Sequence, residues 1–428
     1  MLRPLRWWSQ YIRGLMARSR GLRLIICTAF SALSAVASAQ APGAVVPAGR
    51  MVLPPTARGI YVWPYDWAVK KGDFDKALAV PGVDGVGVHF TWSEISPAIK
   101  KYDFTAMDRQ LAVARSRHLA VELAVSAGQG IPDWIFTPPP AGLGLQRLDF
   151  EITYHGGVEP CHKVSMPTPW DPRYQNAFAD MLAELSAHLH STGYDRDVAV
   201  IKLTGINTLT EELALPNEDP AESRNPNPCV TDSPRVWATA GYRPSLVIRA
   251  MKGIAASFRR SFPDKLVSLP IIVMGALPPI GEDGRPIPRF KAIELNNRLL
   301  DDLVLTATQA LPGHLVLQDC FLIGDLPADQ RTVNLALANN LPIAWQTNIW
   351  FGKIGKGAAC GGQGNSFLEK LQHPTACNEK SFLNLLHNGM YPQGGSGPSQ
   401  NALFIEVFPS DVVEFPGAIK AAHDEWKR

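Results

Sequence analysis

The chain has 428 residues, 46% of them hydrophobic and 19% charged, with 35 Gly and 36 Pro; these proportions belong to a globular protein and exclude collagen, coiled coil and bulk disorder. The formal net charge is +2, but six arginines (Arg3, Arg6, Arg13, Arg18, Arg20 and Arg23) stand in the first 39 residues with no acid among them, which leaves the remainder slightly acidic. Nothing in that balance favours a polyanionic partner such as nucleic acid.

In chain order, the Arg-rich stretch is followed by the apolar run Leu24-Ile25-Ile26-Cys27-Thr28-Ala29-Phe30 and then by small residues ending Ala37-Ser38-Ala39. Basic, then apolar, then small is the order of a cleavable secretory signal, so residues 1–39 are read as a signal peptide and 40–57 as an N-terminal extension. The expected location is secreted or periplasmic. The apolar run is too short to cross a bilayer, and no later segment reads as an integral membrane span. Removal of the signal leaves Cys161, Cys229, Cys320, Cys360 and Cys377. Outside the cytoplasm disulfides persist. Cys360 with Cys377 would close a short Gly-rich loop, and Cys161 and Cys229 sit in two polar, Pro-rich loops; two bridges and one free thiol are expected. No Cys-x-x-Cys spacing argues for a zinc site, and no metal or cofactor is expected.

From residue 58 short β-branched runs alternate with longer stretches of helical period, the pattern of a parallel sheet with crossover helices. Eight runs can be counted, at 59–63, 85–90, 120–125, 198–203, 267–273, 314–319, 342–346 and 402–408. Helices are expected over 104–117, 172–191, 245–262, 328–339 and 379–387. Eight strands predict a single (β/α)8 TIM barrel over 58–428, with long loops after strands 3, 4 and 7. In such a barrel the loops at the strand carboxyl ends build the site.

Those ends carry a particular chemistry. Trp63 and Asp66 follow strand 1, Trp92 and Glu94 strand 2, and Asp133 and Trp134 strand 3. Asn207, Glu211 and Glu212 follow strand 4, Asp319 ends strand 6, Trp345 and Gln346 end strand 7, and Glu406 lies in strand 8. Indoles stack on the apolar faces of sugar rings, and a pair of carboxyls can cleave a glycosidic bond as acid and as nucleophile or base. No Gly-x-Ser-x-Gly, Gly-x-x-x-x-Gly-Lys or His-Glu-x-x-His motif points to another chemistry.

The segments Val83-Asp84-Gly85-Val86-Gly87-Val88-His89-Phe90-Thr91-Trp92-Ser93-Glu94, Tyr102-Asp103-Phe104 and Gly128-Gln129-Gly130-Ile131-Pro132-Asp133-Trp134 resemble, in that order, the opening strands of TIM-barrel glycoside hydrolases of the large retaining clan. The nearest likeness is to family 42 β-galactosidase-like and family 5-like members. The stretch Gly205-Ile206-Asn207-Thr208-Leu209-Thr210-Glu211-Glu212-Leu213-Ala214-Leu215-Pro216 is similar to their strand-four segment and to that of β-amylases. By its distance to Pro216, Glu212 takes the general acid's place.

The resemblance implies hydrolysis of an extracellular or cell-wall polysaccharide or oligosaccharide. It departs at strand 7, where the retaining clan carries a nucleophilic Glu and this chain has Gln346; Glu406 is the best substitute and Asp319 the second. Trp63, Asp66, Trp92, Glu94, Trp134, Asn207, Glu211, Asp319, Trp345 and Gln346 are expected to contact the sugar. The alternative is a catalytically silent barrel that binds glycans on the same rim.

Overall fold

The structure is a computed structural model and describes residues 57–64, 72–152, 162–219, 230–272, 276–324, 330–348, 359–364, 373–392 and 402–427. The expected signal peptide (1–39), residues 40–56 of the expected extension, Asp66, Cys161 and Cys229 lie outside these residues.

Eight parallel strands close into a barrel: β1 (Gly59–Val62), β2 (Gly85–Thr91), β3 (Ala120–Ser126), β4 (Val198–Lys202), β5 (Leu266–Ile271), β6 (Leu315–Leu322), β7 (Ile343–Thr347) and β8 (Ala402–Val407). They are the eight runs expected from the sequence. Each strand pairs with its sequence neighbours, and β8 closes on β1 with Gly59 opposite Phe404 and Val62 opposite Val407. β4 and β8 therefore stand on opposite sides of the barrel. This is a (β/α)8 TIM barrel.

Among the described residues, the main helices around it are α1 (Asp73–Ala77), α2 (Thr105–Ser116), α3 (Pro172–Thr192), α4 (Pro244–Ser261), α5 (Arg289–Ala310), α6 (Gln330–Ala338), α7 (Glu379–Met390) and α8 (Pro416–Trp426). α2 turns Met107, Leu111 and Ala114 inward, the stripe read from the sequence. α3 starts on an Asp171 cap with Pro172 in its first turn and stops at left-handed Gly193, as start and stop chemistry requires. The sequence reading passed over α1, α5 and α8; none of them opens on a capping side chain. The long loops after β3 and β7 carry antiparallel ribbons, Leu148–Ile152 with His162–Met166 and Ala359–Gly362 with Pro374–Ala376. The second ribbon is tied by the Cys360–Cys377 disulfide, and Cys320 is a buried free thiol.

At the amino ends of the strands the interior is plugged by Tyr61, Val200, Val316, Ala344 and Phe404, with the Tyr61 and Phe404 rings 5.2 Å apart. Further along the axis Trp63 also lies inside, against Ala124 and Phe408. Room for it comes from β2, where a Cβ on Gly87 would fall 2.1 Å from the Trp63 ring. We predict that Gly87→Ala lowers stability by about 1–3 kcal/mol, the usual cost of overpacking, as read from the urea midpoint. An unshifted midpoint would show that Trp63 can move aside freely.

Candidate active site

The carboxyl end of β4 sets the site's geometry. After Leu203, whose N–H donates to the Ser268 carbonyl at 2.7 Å, the chain turns at Gly205 (φ 103°) and folds back beside β5, with Leu213 N–H on the Pro270 carbonyl (2.9 Å) and Leu215 N–H on the Ala276 carbonyl (2.8 Å). Asn207 pins the turn from within: its Oδ1 accepts from Gly205 N–H at 3.0 Å and its Nδ2 donates to the Thr210 carbonyl at 2.7 Å. The Trp237 indole closes the far end on the Pro216 carbonyl at 2.8 Å. Gly128 of the loop after β3 packs on this turn so closely that a Cβ would lie 1.9 Å from the Thr208 carbonyl oxygen. Glu211 and Glu212 are thereby held at the mouth of the barrel, 4% and 9% exposed.

Below them lies a charged layer that apolar barrels lack. Lys202, the last residue of β4, is fully buried, with Nζ 3.1 Å from Glu211 and 2.7 Å from Glu406 of β8. The Trp63 ring faces the same ammonium, its centroid 3.6 Å from Nζ. Gln346 donates through Nε2 to the other Glu406 oxygen at 2.7 Å. Glu122 of β3 lies against Glu406 and accepts from Ser268 Oγ at 3.0 Å. His89 of β2 bonds Ser126 at 3.1 Å, and its ring lies 6.1 Å from the Trp63 ring, tilted by 34°. Charged groups survive in such an interior only when paired.

Environment drives these carboxyls apart. Burial, then the neighbouring Glu211 charge, pushes Glu212 up to about 8, while Thr210 donates to its carboxyl and the Cys320 thiol bonds it. Burial alone would raise Glu211 as well, but the charge of Lys202, aided by His89, outweighs it and holds Glu211 below the usual carboxylate range. Burial and the Glu406 charge raise Glu122 well above that range, which makes it the protonated member of a carboxyl–carboxylate pair. Burial works against the Lys202 ammonium, yet the carboxylates paired with it, Glu406 and Glu211, keep its proton on. Neighbouring carboxyls with opposed ionisation are the usual mark of acid and base assignments.

The expected contact residues divide. Trp63, Glu211, Gln346, Glu212 and Glu406 come together inside the barrel or at its mouth, and Asn207 serves as the turn's internal anchor. Trp92 is instead fully buried against Trp134, Tyr174 and Phe178, at ring distances of 5.7, 5.9 and 5.2 Å, under α3. Trp134 belongs to the same packing and donates its indole N–H to the Ser96 carbonyl at 2.9 Å. Trp345 falls between inward Ala344 and Gln346 and packs outward into the helical layer. Asp319 also turns outward, accepting from Phe321 N–H at 2.8 Å and from Thr332 Oγ1. Glu94 closes a capping box with Thr91. These five are occupied in packing and local bonding rather than gathered at the mouth.

Glu122 and Lys202 were missed by sequence reasoning, although a signal existed. Within the eight strands only Glu122, Lys202, Asp319 and Glu406 are Asp, Glu, Lys or Arg, and a charge inside a β-branched run demands a partner. Among the described residues no cluster of three or more His, Cys, Asp or Glu side chains is arranged to hold a metal ion.

No protein-family model matches this chain, and no curated protein matches it. Solved structures do resemble it. An intracellular xylanase from Thermoanaerobacterium saccharolyticum JW/SL-YS485, solved with xylotriose, is 10% identical with a TM-score of 0.45, over 83% of this chain and 86% of that one. Xylanase 10B from Thermotoga maritima is 10% identical with a TM-score of 0.44, over 86% and 96%. A psychrophilic glycoside hydrolase family 10 endo-β-1,4-xylanase is 9% identical with a TM-score of 0.42, over 82% and 86%. These are family 10 and xylanase structures, not the family 42, family 5 or β-amylase members suggested by the sequence motifs. The barrel itself is established by this chain's own strand pairing.

Proposed function

We propose that the protein is an exported glycoside hydrolase that cleaves O-glycosidic bonds of a polysaccharide or oligosaccharide with two carboxyl groups. One observation carries the reading: at the strand carboxyl ends, a carboxyl that stays protonated to about pH 8, Glu212, stands beside an ammonium that binds two further carboxylates, Glu211 and Glu406. Glu212 is the general acid, which protonates the leaving oxygen. Glu406 is its partner, because the mechanism needs carboxyls on two sides of the scissile bond and β8 lies across the barrel from β4. Glu211, the sequence neighbour of Glu212, shares its side of the mouth.

Gln346 cannot be a nucleophile, and in this reading it orients Glu406. That same Gln supports the second reading, a glycan-binding barrel without catalysis. Burial of Trp92, Trp134 and Trp345 takes away the aromatic rim that both readings used, and what favours the hydrolase is the carboxyl pair Glu212 and Glu406.

The test is reducing-sugar release from a panel of plant, bacterial and fungal polysaccharides, comparing wild type with Glu212→Gln and Glu406→Gln. Loss of about a hundredfold or more in both variants is the expected result. A wild-type protein that is retarded in glycan-containing gels yet releases nothing would establish the silent binder.

A further inference from the structure

Lys202 spans the interior. It starts from β4, and its ammonium reaches a carboxylate on the opposite strand, β8, 2.7 Å away, while holding Glu211 at 3.1 Å and lying 3.6 Å from the Trp63 ring centroid. An ammonium buried this completely gives up its hydration, which only well-placed partners replace. A methionine would fill the same space without that loss. The position of the charge is therefore to be explained by what it does to its neighbours.

We infer that Lys202 is a positioning residue of the site, tying Glu406 and the loop that bears Glu211 and Glu212 to a single point on the barrel axis, so that acid and partner carboxylate keep one separation. The inference rests on the hydrolase reading for its catalytic meaning; the tie itself does not. Its chemistry follows from the groups that face the ammonium. These are Glu122 from β3, Glu406 from β8, Glu211 and Glu212 from the loop after β4 and Cys320 from β6, with His89 of β2 beyond Glu211. Burial leads in raising Glu122, Glu212 and the Cys320 thiol, which keeps all three neutral. The charges that remain in direct contact are Lys202 and its two carboxylates. Without the ammonium, burial of Glu211 goes unopposed except by His89 and local hydrogen bonds, and Glu211 takes up a proton at higher pH.

The experiment compares the full chain with Lys202→Met and Lys202→Arg. Glutamate carboxyl carbons are labelled with 13C and titrated by NMR, the Glu211 signal being identified by its loss in Glu211→Gln, and kcat and KM are followed across pH. In Lys202→Met the Glu211 titration should rise by about one unit or more, the shift expected when an adjacent opposite charge is removed. Alongside it, kcat should fall by more than about tenfold while KM stays within about threefold, since an interaction that aligns reacting groups is lost rather than ground-state binding. Lys202→Arg should bring both the Glu211 titration and kcat back toward wild type.

A folded Lys202→Met with Glu211 titration and kcat both unmoved would overturn the inference. Should Lys202→Met not fold, the double variant Lys202→Met/Glu406→Leu removes the ion pair as a unit, and an unmoved Glu211 titration there overturns it equally. If wild type cleaves no glycan the hydrolase reading falls, while the NMR titration still decides whether Lys202 governs Glu211.

Discussion

Glu212→Gln is expected to reduce glycosidic cleavage by about 10²–10⁴-fold, the range associated with loss of a positioned acid, and to abolish the alkaline limb of the pH profile. The limb's position follows from the protonation of Glu212. Its carboxyl is active as the acid only while protonated, so activity holds below pH 8 and is lost as pH rises through about 8, where burial and the Glu211 charge place its ionisation.

The same shift has a thermodynamic signature that needs no substrate. Between the ordinary carboxyl value of 4.5 and about 8, the folded protein keeps a proton that the unfolded chain has released. Stability from this group is therefore complete below 4.5 and declines as pH rises through 8, with a slope on the order of 1 kcal/mol per pH unit. Glutamine has no such slope. The stability of Glu212→Gln relative to wild type should accordingly increase from pH 5 to pH 8 in urea titrations. A difference that stays flat with pH would mean that Glu212 is ionised in the folded protein and is not the acid.

The largest loss of stability is expected at the centre of the charged layer. Glu406→Leu removes the carboxylate 2.7 Å from Lys202, deprives Gln346 Nε2 of its acceptor and leaves Glu122 without the partner of its proton. Breaking a buried pair from one side costs about 3–5 kcal/mol, because the remaining charge stays behind without full compensation. Lys202→Met/Glu406→Leu takes both charges away and leaves apolar volume in their place. It should recover most of the loss, with a coupling of more than about 1 kcal/mol in the double-mutant cycle. Additive losses would show that Lys202 and Glu406 do not depend on each other. Activity separates the two effects, since the double variant should be stable yet as slow as Glu406→Gln.

Much of this arrangement could be read from residue order, and the limits of that reading have a physical cause. The eight strands, the ribbon-tying Cys360–Cys377 pair and the placing of Glu211 and Glu212 after strand 4 all follow from local patterns: β-branched runs, helical periods between them, and a Gly-containing turn with a Pro beyond it. Alternation along a strand sorts residues into two faces. It does not say which face looks inward, because a parallel barrel strand is buried on both sides and hydrophobicity is similar on each.

Trp345 and Gln346 illustrate the point. Adjacent and equally plausible as sugar contacts, they are sent to opposite sides of β7, the indole into the helical layer and the amide onto Glu406. Asp319 and Cys320 are divided in the same way on β6, Asp319 bonding Thr332 outside and Cys320 facing Glu212 within. The Trp92 and Trp134 indoles, attractive as stacking platforms, are consumed in edge-to-face packing beneath α3.

The sequence by itself determined the barrel and the strand end that carries Glu211 and Glu212, because these depend on patterns a few residues long. Closure decided the rest. Joining β8 to β1 placed β4 and β8 across one interior, and only then could a lysine from one strand meet a glutamate from the other 204 positions away. Which charges become partners, and so which carboxyl keeps its proton, depends on that distance through space, a quantity that spacing along the chain does not contain.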